Sequence, residues 1–199
     1  MIKIIIFDLW STLGKKPSSA KFARELFGIK KHAGYLHDYE LADHMKFYKS
    51  YETVSKDICR YFGIKPAKET VGKLVAQKKY SFRHARMLPG MKEVVRRLSK
   101  DYRIILISNT NNIDIKVLDK WGIRKYFYRI FPSYKTKVLK PAPKAFRNAV
   151  NGLHVAAGEC LVVDDNEDNI TAARRIGLNV IRFRNAGQLK KELRRIKII

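Results

Sequence analysis

The sequence has few acidic residues, few cysteines and no long apolar run. Only 18 of its 199 residues are Asp or Glu, whereas 42 are Lys or Arg, so the formal net charge is +24. Cys59 and Cys160 lack the spacing of a metal-ligand or redox pair, and we interpret them as small buried side chains in a reducing compartment. No apolar run reaches the roughly 18 residues of a membrane span, and the run Ile4–Phe7 is too short for a signal-peptide core. The lack of paired cysteines and of long apolar runs predicts a globular, cytoplasmic protein without a membrane span.

The excess of positive charge predicts an affinity for anions. Phosphorylated metabolites, nucleotides, nucleic acid and anionic lipid all carry the charge that such a surface attracts. A solvated basic surface without any polyanion partner fits the same composition. The charge therefore permits a nucleotide or nucleic-acid partner and does not require one.

Strand-like runs alternate with helix-like patterns over most of the chain. Short apolar runs rich in β-branched residues predict five strands, in MIKIIIFDL, YRIILISNT, YRIFPS, GECLVVDDN and GLNVIRF. Apolar residues at helical spacing predict the helices that accompany them, in GMKEVVRRLSK, NIDIKVLDKWG, PKAFRNAVNGL, EDNITAARRIG and AGQLKKELRRIKII. This alternation predicts an α/β fold, with a Rossmann-like parallel sheet and helices on both of its faces.

The interval between residues 15 and 87 interrupts the alternation. It contains helix-like stretches and no evident strand, namely AKFARELFG, LADHMKFYKSYETVSKDICRYFG and KETVGKLVAQKKYSFRHA. Glycines separate these stretches from one another. We therefore expect a core formed by residues 1–14 and 88–199, with a small all-helical cap formed by residues 15–87.

Polar side chains stand where three of the predicted strands end. These side chains are Asp8, Ser108, Asn109, Asp164 and Asp165. A loop with the sequence VLKPAP adds one cation, Lys140. Each feature alone is ordinary turn or helix-cap chemistry. Because ligands of a doubly wound sheet bind outside the carboxyl ends of its strands, we expect these side chains to form one cluster.

Together these segments resemble the haloacid dehalogenase superfamily of hydrolases. In FDLWSTL, Asp8 and Thr12 match the first motif of the family, and in ILISNT, Ser108 matches the second. Lys140 of KPAPKAF matches the third motif, and the acid pair of LVVDDNEDNITAARRIG matches the fourth. The resemblance covers nearly the whole core, and the insert resembles the helical cap that some members carry between motifs one and two.

The resemblance implies a hydrolase that forms a covalent intermediate on Asp8, and foremost a Mg²⁺-dependent phosphatase of a small phosphorylated compound. It implies that Lys140 neutralises charge on the nucleophile and on the phosphoryl group. It also implies that Ser108, Asn109 and Thr12 contribute to phosphate or substrate binding. The implied Mg²⁺ ligands are Asp8, the backbone carbonyl of Trp10, Asp164 and Asp165, with Asp168 and Asn169 as alternative outer ligands.

Trp10 departs from the pattern of the family. Phosphatases of the family have Asp at this place, which protonates the leaving oxygen and then activates water. An indole N–H is a donor only, so Trp10 can do neither. General acid–base catalysis contributes about 10²–10⁴-fold to a rate, and its loss predicts a weak phosphatase unless the leaving group is a good one.

Two alternatives to a phosphatase follow from the same residue. The chain could be a catalytically impaired member of the family that binds nucleotides or nucleic acid through its basic surface. It could also be a hydrolase like the 2-haloacid dehalogenases, which carry Tyr at this place and release a halide that needs no proton. Against the dehalogenase stands the pair Asp164 and Asp165, because two neighbouring acids without a cation repel each other.

Overall fold

The computed structural model describes all residues from 1 to 199. Five strands form a parallel sheet in the order β5-β4-β1-β6-β7, and two further strands form a separate antiparallel pair. The strands are β1 (Ile4–Phe7), β2 (Gly14–Lys15), β3 (Arg86–Met87), β4 (Arg103–Ser108), β5 (Arg129–Pro132), β6 (Cys160–Asp164) and β7 (Asn179–Arg182). The five predicted strands and their parallel arrangement are confirmed.

The central strand β1 shows why its sequence is apolar throughout. Ile5 and Phe7 pack into a cluster of 23 buried residues on one face of the sheet. Ile4 and Ile6 pack into a cluster of 13 buried residues on the other face. Successive side chains of a strand point to opposite faces, so a strand that is covered on both sides has no position for a polar residue.

Helices cover both faces of this sheet. The helices are α1 (Ser19–Leu26), α2 (Tyr35–His44), α3 (Tyr51–Tyr61), α4 (Lys68–Arg83), α5 (Met91–Leu98), α6 (Val117–Lys120), α7 (Ser133–Thr136), α8 (Pro143–Asn151), α9 (Glu167–Arg175) and α10 (Ala186–Arg195). Helices α5, α6 and α10 contribute to the larger cluster, and α8 and α9 contribute to the smaller one. None of the helices is long and apolar enough to cross a membrane.

Helices α1 to α4 follow β1 and have a core of their own. Their buried residues form a third cluster of 11 side chains, which includes Ala23, Tyr35, Val54, Ile58 and Leu74. We call residues 15–87 the helical insert. Its division from the rest of the chain as a cap domain stays a prediction.

Two local expectations about helices need correction. The stretch LADHMKFYKSYETVSKDICRYFG is not one helix, because α2 ends at His44 and α3 begins at Tyr51. Ser50 caps α3 by accepting a hydrogen bond from the Thr53 backbone N–H at 3.2 Å, which is typical of a helix start. The segment NIDIKVLDKWG forms only a 3₁₀ turn and the short α6, which Gly122 follows with a φ of +66°.

The insert is also not entirely helical. Strands β2 and β3 pair where the chain enters and leaves it, with Gly14 opposite Met87 and Lys15 opposite Arg86. Each strand has only two residues, which is too short for an alternating pattern to be visible in a sequence. The pair holds the two connections of the insert together.

Gly14 is required by close packing, and a matched pair of substitutions tests this. A Cβ at position 14 would lie 2.2 Å from Trp121 Cη2 and 2.8 Å from the Arg86 carbonyl oxygen. We expect Gly14→Ala to lower the free energy of unfolding by about 1–3 kcal/mol, as overpacking does. A Cβ on the exposed Gly72 of α4 meets nothing within 4 Å. Gly72→Ala should therefore raise the free energy of unfolding by roughly 0.5–1 kcal/mol. Urea denaturation of both variants measures the difference, and equal stability of Gly14→Ala and the wild type would contradict the packing argument.

Candidate active site

Lys140 joins the ends of two neighbouring strands. Asp8 follows β1 directly, and Asp164 is the last residue of β6; the register pairs Phe7 with Val163 and so brings the two acids side by side. The Lys140 ammonium donates to Asp8 Oδ1 at 2.7 Å and to Asp164 Oδ2 at 2.6 Å. All three residues are buried. The predicted cluster of carboxylates and a cation is therefore present in the structure.

Burial and neighbouring charges set the protonation of this trio. Burial raises the pKa of Asp8 to about 7, with Asp164 adding to the increase and Lys140 opposing it. Burial alone would lower the pKa of Lys140, but the charges of Asp8 and Asp164 outweigh it and raise that pKa above its usual range. Lys140 is therefore a permanent cation, and the two acids share it.

A third acid completes a group that could hold a metal ion. Oxygen atoms of Asp8, Asp164 and Asp165 lie within 4.8 Å of one another. Burial, with Asp164 next to it, raises the pKa of Asp165. Three carboxylates and one ammonium leave an excess of negative charge, and an all-oxygen donor set of this kind suits a hard divalent cation. The Trp10 carbonyl accepts no hydrogen bond and stays free as a further oxygen donor.

Asp164, Asp165, Asp168 and Asn169 differ in their contacts. Asn169 Nδ2 donates to both carboxylate oxygens of Asp164 at 3.0 Å. Thr12 Oγ1 donates to Asp165 Oδ1 at 3.4 Å. Asp168 is exposed at the start of α9. The structure thus places Asp165 in the acid group, Asn169 and Thr12 behind it as hydrogen-bond donors, and Asp168 outside it.

Ser108 and Asn109 at the end of β4 have different surroundings. Ser108 Oγ is buried and has no hydrogen-bond partner, so it is free to donate to a ligand oxygen. Asn109 accepts from the Lys140 backbone N–H at 2.8 Å and donates to the Lys140 carbonyl at 3.0 Å. Its amide also donates to Glu40 Oε2 of α2 at 2.8 Å. Asn109 therefore fixes the loop of Lys140 and connects it with the helical insert.

Trp10 is held among apolar and cationic neighbours. Its ring meets the ring of Trp121 edge-on, with centroids 6.0 Å apart, and the Lys16 ammonium lies 4.2 Å from the ring centroid. The indole Nε1 is buried without a hydrogen-bond partner. The ring packs between Trp121 at the end of α6 and Lys16 of the insert, and it presents no group that could exchange a proton.

A cavity of about 310 Å³ opens on this cluster. Core residues in its wall are Asp8, Trp10, Ser11, Ser108, Asn109, Lys140, Asp165, Asn166 and Asn169. The insert contributes Lys15, Lys16, Ser18, Ser19, Ala20, Leu36, Tyr39, Glu40, Asp43 and His44. No local pattern in the sequence shows which residues of the insert meet the core, so none of these residues was assigned to the site.

A second buried charge network joins the insert to the core. Asp43 accepts from Lys78 at 2.7 Å and from the Asn111 amide at 2.7 Å, and Lys16 pairs with Asp114. Burial alone would raise the pKa of Asp43, but Lys78 and His44 lower it below its usual range. Two acids with two lysines leave no excess charge, so this group has no need of a metal ion.

Comparisons with known proteins agree with this architecture. The sequence profile of the haloacid dehalogenase-like hydrolases matches residues 2–177. The drimenol cyclase drtB of Aspergillus calidoustus is 25% identical over 202 residues, which cover 98% of this chain and 37% of that protein. The glyceraldehyde 3-phosphate phosphatase of Pyrococcus abyssi is 29% identical over 198 residues, which cover 92% of this chain and 82% of that protein. The chain therefore spans little more than a third of the first of these relatives and most of the second.

A solved structure shows the same fold over almost the whole chain. A haloacid dehalogenase family enzyme from Bacteroides thetaiotaomicron, in complex with magnesium and inorganic phosphate, superposes with a TM-score of 0.68 at 18% identity. The match covers 94% of this chain and 96% of that one. Because the family profile matches residues 2–177 of 199, the chain belongs to the haloacid dehalogenase-like hydrolase family.

Proposed function

We propose that the protein is a phosphatase that transfers the phosphoryl group of a small phosphorylated compound to Asp8. The observation that carries this proposal is the Lys140 ammonium held between Asp8 and Asp164 in the wall of a cavity that is lined mostly by polar and charged residues. A phosphoryl group that approaches Asp8 meets like charge, and a fixed cation offsets that repulsion. Relatives with phosphatase names, for glyceraldehyde 3-phosphate and for D-ribitol 5-phosphate, support the same reaction.

Mg²⁺ fits the residues of this site. Asp8, Asp164, Asp165 and the Trp10 carbonyl would hold it, because they are oxygen donors with an excess of negative charge. The bound ion would supply positive charge to the phosphoryl oxygens. Asn169 and Thr12 would orient the carboxylates of Asp164 and Asp165.

The remaining side chains of the site have separate tasks in this proposal. Asp8 is the nucleophile, and Lys140 neutralises charge on Asp8 and on the phosphoryl oxygens. Ser108 donates its free hydroxyl to one of those oxygens. Asn109 binds the Lys140 backbone and so acts on the phosphate through the position of that lysine. Thr12, which lies outside the cavity wall, acts through Asp165 and does not touch the substrate.

The helical insert would act as the cap that selects the substrate. It supplies more than half of the residues in the cavity wall, and most of these are polar or charged. A wall of this kind suits a small hydroxylated phosphate ester more than an apolar one. We propose the boundaries 1–14 and 88–199 for the catalytic core and 15–87 for the cap.

Phosphate release with and without Mg²⁺ tests this function. The substrates are p-nitrophenyl phosphate, acetyl phosphate and a panel of three- to five-carbon sugar phosphates. We expect removal of Mg²⁺ with EDTA to lower the rate at least about 100-fold, since a metal ion is worth several kcal/mol of charge stabilisation, and added Mg²⁺ should restore it. Metal-independent halide release from 2-haloacids would replace the proposal with the dehalogenase hypothesis.

A polyanion partner stays a prediction of the net charge. If no substrate is turned over and oligonucleotides bind with a steep salt dependence, the binding hypothesis is the better one. The cytoplasmic location also stays a prediction; both cysteines are free and buried.

A further inference from the structure

The acid cluster, Lys140, Ser108 and Asn109 include no group that is assigned to move a proton to and from the reacting oxygens. Expulsion of an alkoxide requires a proton, and attack of water on a phosphorylated carboxylate releases one. Trp10 occupies the place next to the nucleophile and cannot serve. Any such group must therefore come from elsewhere in the cavity wall.

Most titratable side chains of the cavity wall have a charged partner or a fixed protonation state. Lys140 is a cation held by two acids, and Lys16 is paired with Asp114. Burial, followed by the charge of Asp43, raises the pKa of Tyr39 well above its usual range, so its phenol keeps its proton. Asp43 is held ionised by Lys78.

Apart from Asp165 of the acid group and the exposed Lys15, two candidates remain, Glu40 and His44. Both lie on α2, four residues apart and hence on one face of that helix. Glu40 accepts a hydrogen bond from Asn109, beside the phosphate-binding Ser108, which brings this face of α2 to the end of β4. Histidine is the side chain that ordinarily gains and loses a proton near neutral pH, so His44 is the stronger candidate.

His44 is buried, lines the cavity and has one ring nitrogen next to a carboxylate, as the imidazole of a general acid and base commonly does. It is the buried histidine of the chain, with 7% of its surface exposed, and it lines the same cavity as Asp8. Its Nε2 faces Asp43 Oδ2 at 3.4 Å, and its backbone carbonyl accepts from Ser133 Oγ at 2.8 Å. Nδ1 is buried and has no hydrogen-bond partner. One nitrogen thus faces a carboxylate, and the other has no partner within the protein.

We propose that His44 of the helical insert is the general acid and base of the reaction, in place of a side chain at position 10. This inference rests on the proposed phosphatase function. In the first step the bond between phosphorus and the leaving oxygen breaks, an Asp8 oxygen bonds to phosphorus, and protonated His44 gives its proton to the leaving oxygen. In the second step water bonds to phosphorus, neutral His44 takes the water proton, and the Asp8–phosphorus bond breaks to release phosphate.

Leaving-group dependence tests this assignment. An alkyl phosphate needs a proton on its leaving oxygen, whereas p-nitrophenyl phosphate and acetyl phosphate release stable anions. We expect His44→Gln to lower kcat/KM for an alkyl phosphate by about 10²–10⁴-fold and to change kcat/KM for p-nitrophenyl phosphate by less than about threefold. The ratio of the two values is independent of the fraction of folded enzyme, so partial misfolding of the variant cannot imitate the effect.

His37→Gln is the matched control, because His37 lies on the same helix but is exposed and outside the cavity wall. It should leave the ratio of the two kcat/KM values unchanged. Equal loss on both substrates in His44→Gln, no loss on either, or a selective loss in Glu40→Gln instead would overturn the inference. Failure of the wild type to hydrolyse any phosphate would contradict the proposed function itself, and the two failures are therefore distinguishable.

Discussion

Replacement of Asp8 by Asn is expected to reduce Mg²⁺-dependent phosphate release on the order of 10⁴- to 10⁶-fold, as removal of a nucleophile does in other hydrolases. The amide keeps the size of the side chain and can still lie beside Lys140. It lacks the negative charge of the carboxylate, and its uncharged amide oxygen is too weak a nucleophile to attack phosphorus. The loss should therefore appear in kcat for every substrate, whatever the leaving group.

The same variant should fold normally. Burial opposes the charge of Asp8 and raises its pKa to about 7, so an uncharged side chain is at least as compatible with this site. Lys140 keeps Asp164 as its partner. We expect the melting temperature of Asp8→Asn to equal or exceed that of the wild type.

Asp168→Asn, which changes an exposed acid at the start of α9, is the control for the loss of activity and should keep the full rate. A rate of Asp8→Asn within tenfold of the wild-type rate would refute the role of Asp8.

Replacement of Lys140 by Met is expected to affect stability and catalysis together. The ammonium is buried between Asp8 and Asp164, and its loss leaves both carboxylates without a cation. Removal of one partner from a buried charge pair costs about 3–5 kcal/mol. Loss of one fixed charge from a reacting centre typically costs about 10²–10³-fold in kcat.

Lys144→Met is the control for this prediction, since Lys144 is exposed on α8, four residues from Lys140. It should leave both the free energy of unfolding and kcat close to the wild-type values. Denaturation in urea and kcat at saturating Mg²⁺ measure the two effects. Added Mg²⁺ should restore part of the stability of Lys140→Met, because a divalent cation offsets the same carboxylates. If Lys140→Met were as stable and as active as Lys144→Met, Asp8 and Asp164 would need the Lys140 ammonium neither for stability nor for catalysis.

The core and its acid cluster could be predicted because their determinants are local in the sequence. A strand covered on both faces needs the apolar run of Ile4–Phe7, and the first polar residue after it, Asp8, marks the strand end. Since all five strands are parallel, their carboxyl ends meet at one edge. Asp8, Ser108 and Asp164 therefore come together without any knowledge of the packing between helices.

The contribution of the insert could not be predicted, since it depends on contacts between distant segments. Glu40 reaches Asn109, and Asp43 reaches both Lys78 and Asn111. Nothing in the pattern of α2 distinguishes His44 from the exposed His37 of the same helix. The two-residue strands β2 and β3 were missed because main-chain pairing at the connections of the insert leaves no side-chain pattern.

The most direct test of a covalent intermediate is to look for a phosphoryl group on Asp8 during the first turnover. Enzyme and p-nitrophenyl phosphate are mixed with Mg²⁺, quenched in acid at successive millisecond intervals, and analysed by peptide mass spectrometry. We expect a phosphorylated peptide that contains Asp8, which forms before phosphate is released and is absent in Asp8→Asn. Release of phosphate in the first turnover with no phosphoryl group on Asp8 at any interval would contradict a covalent intermediate.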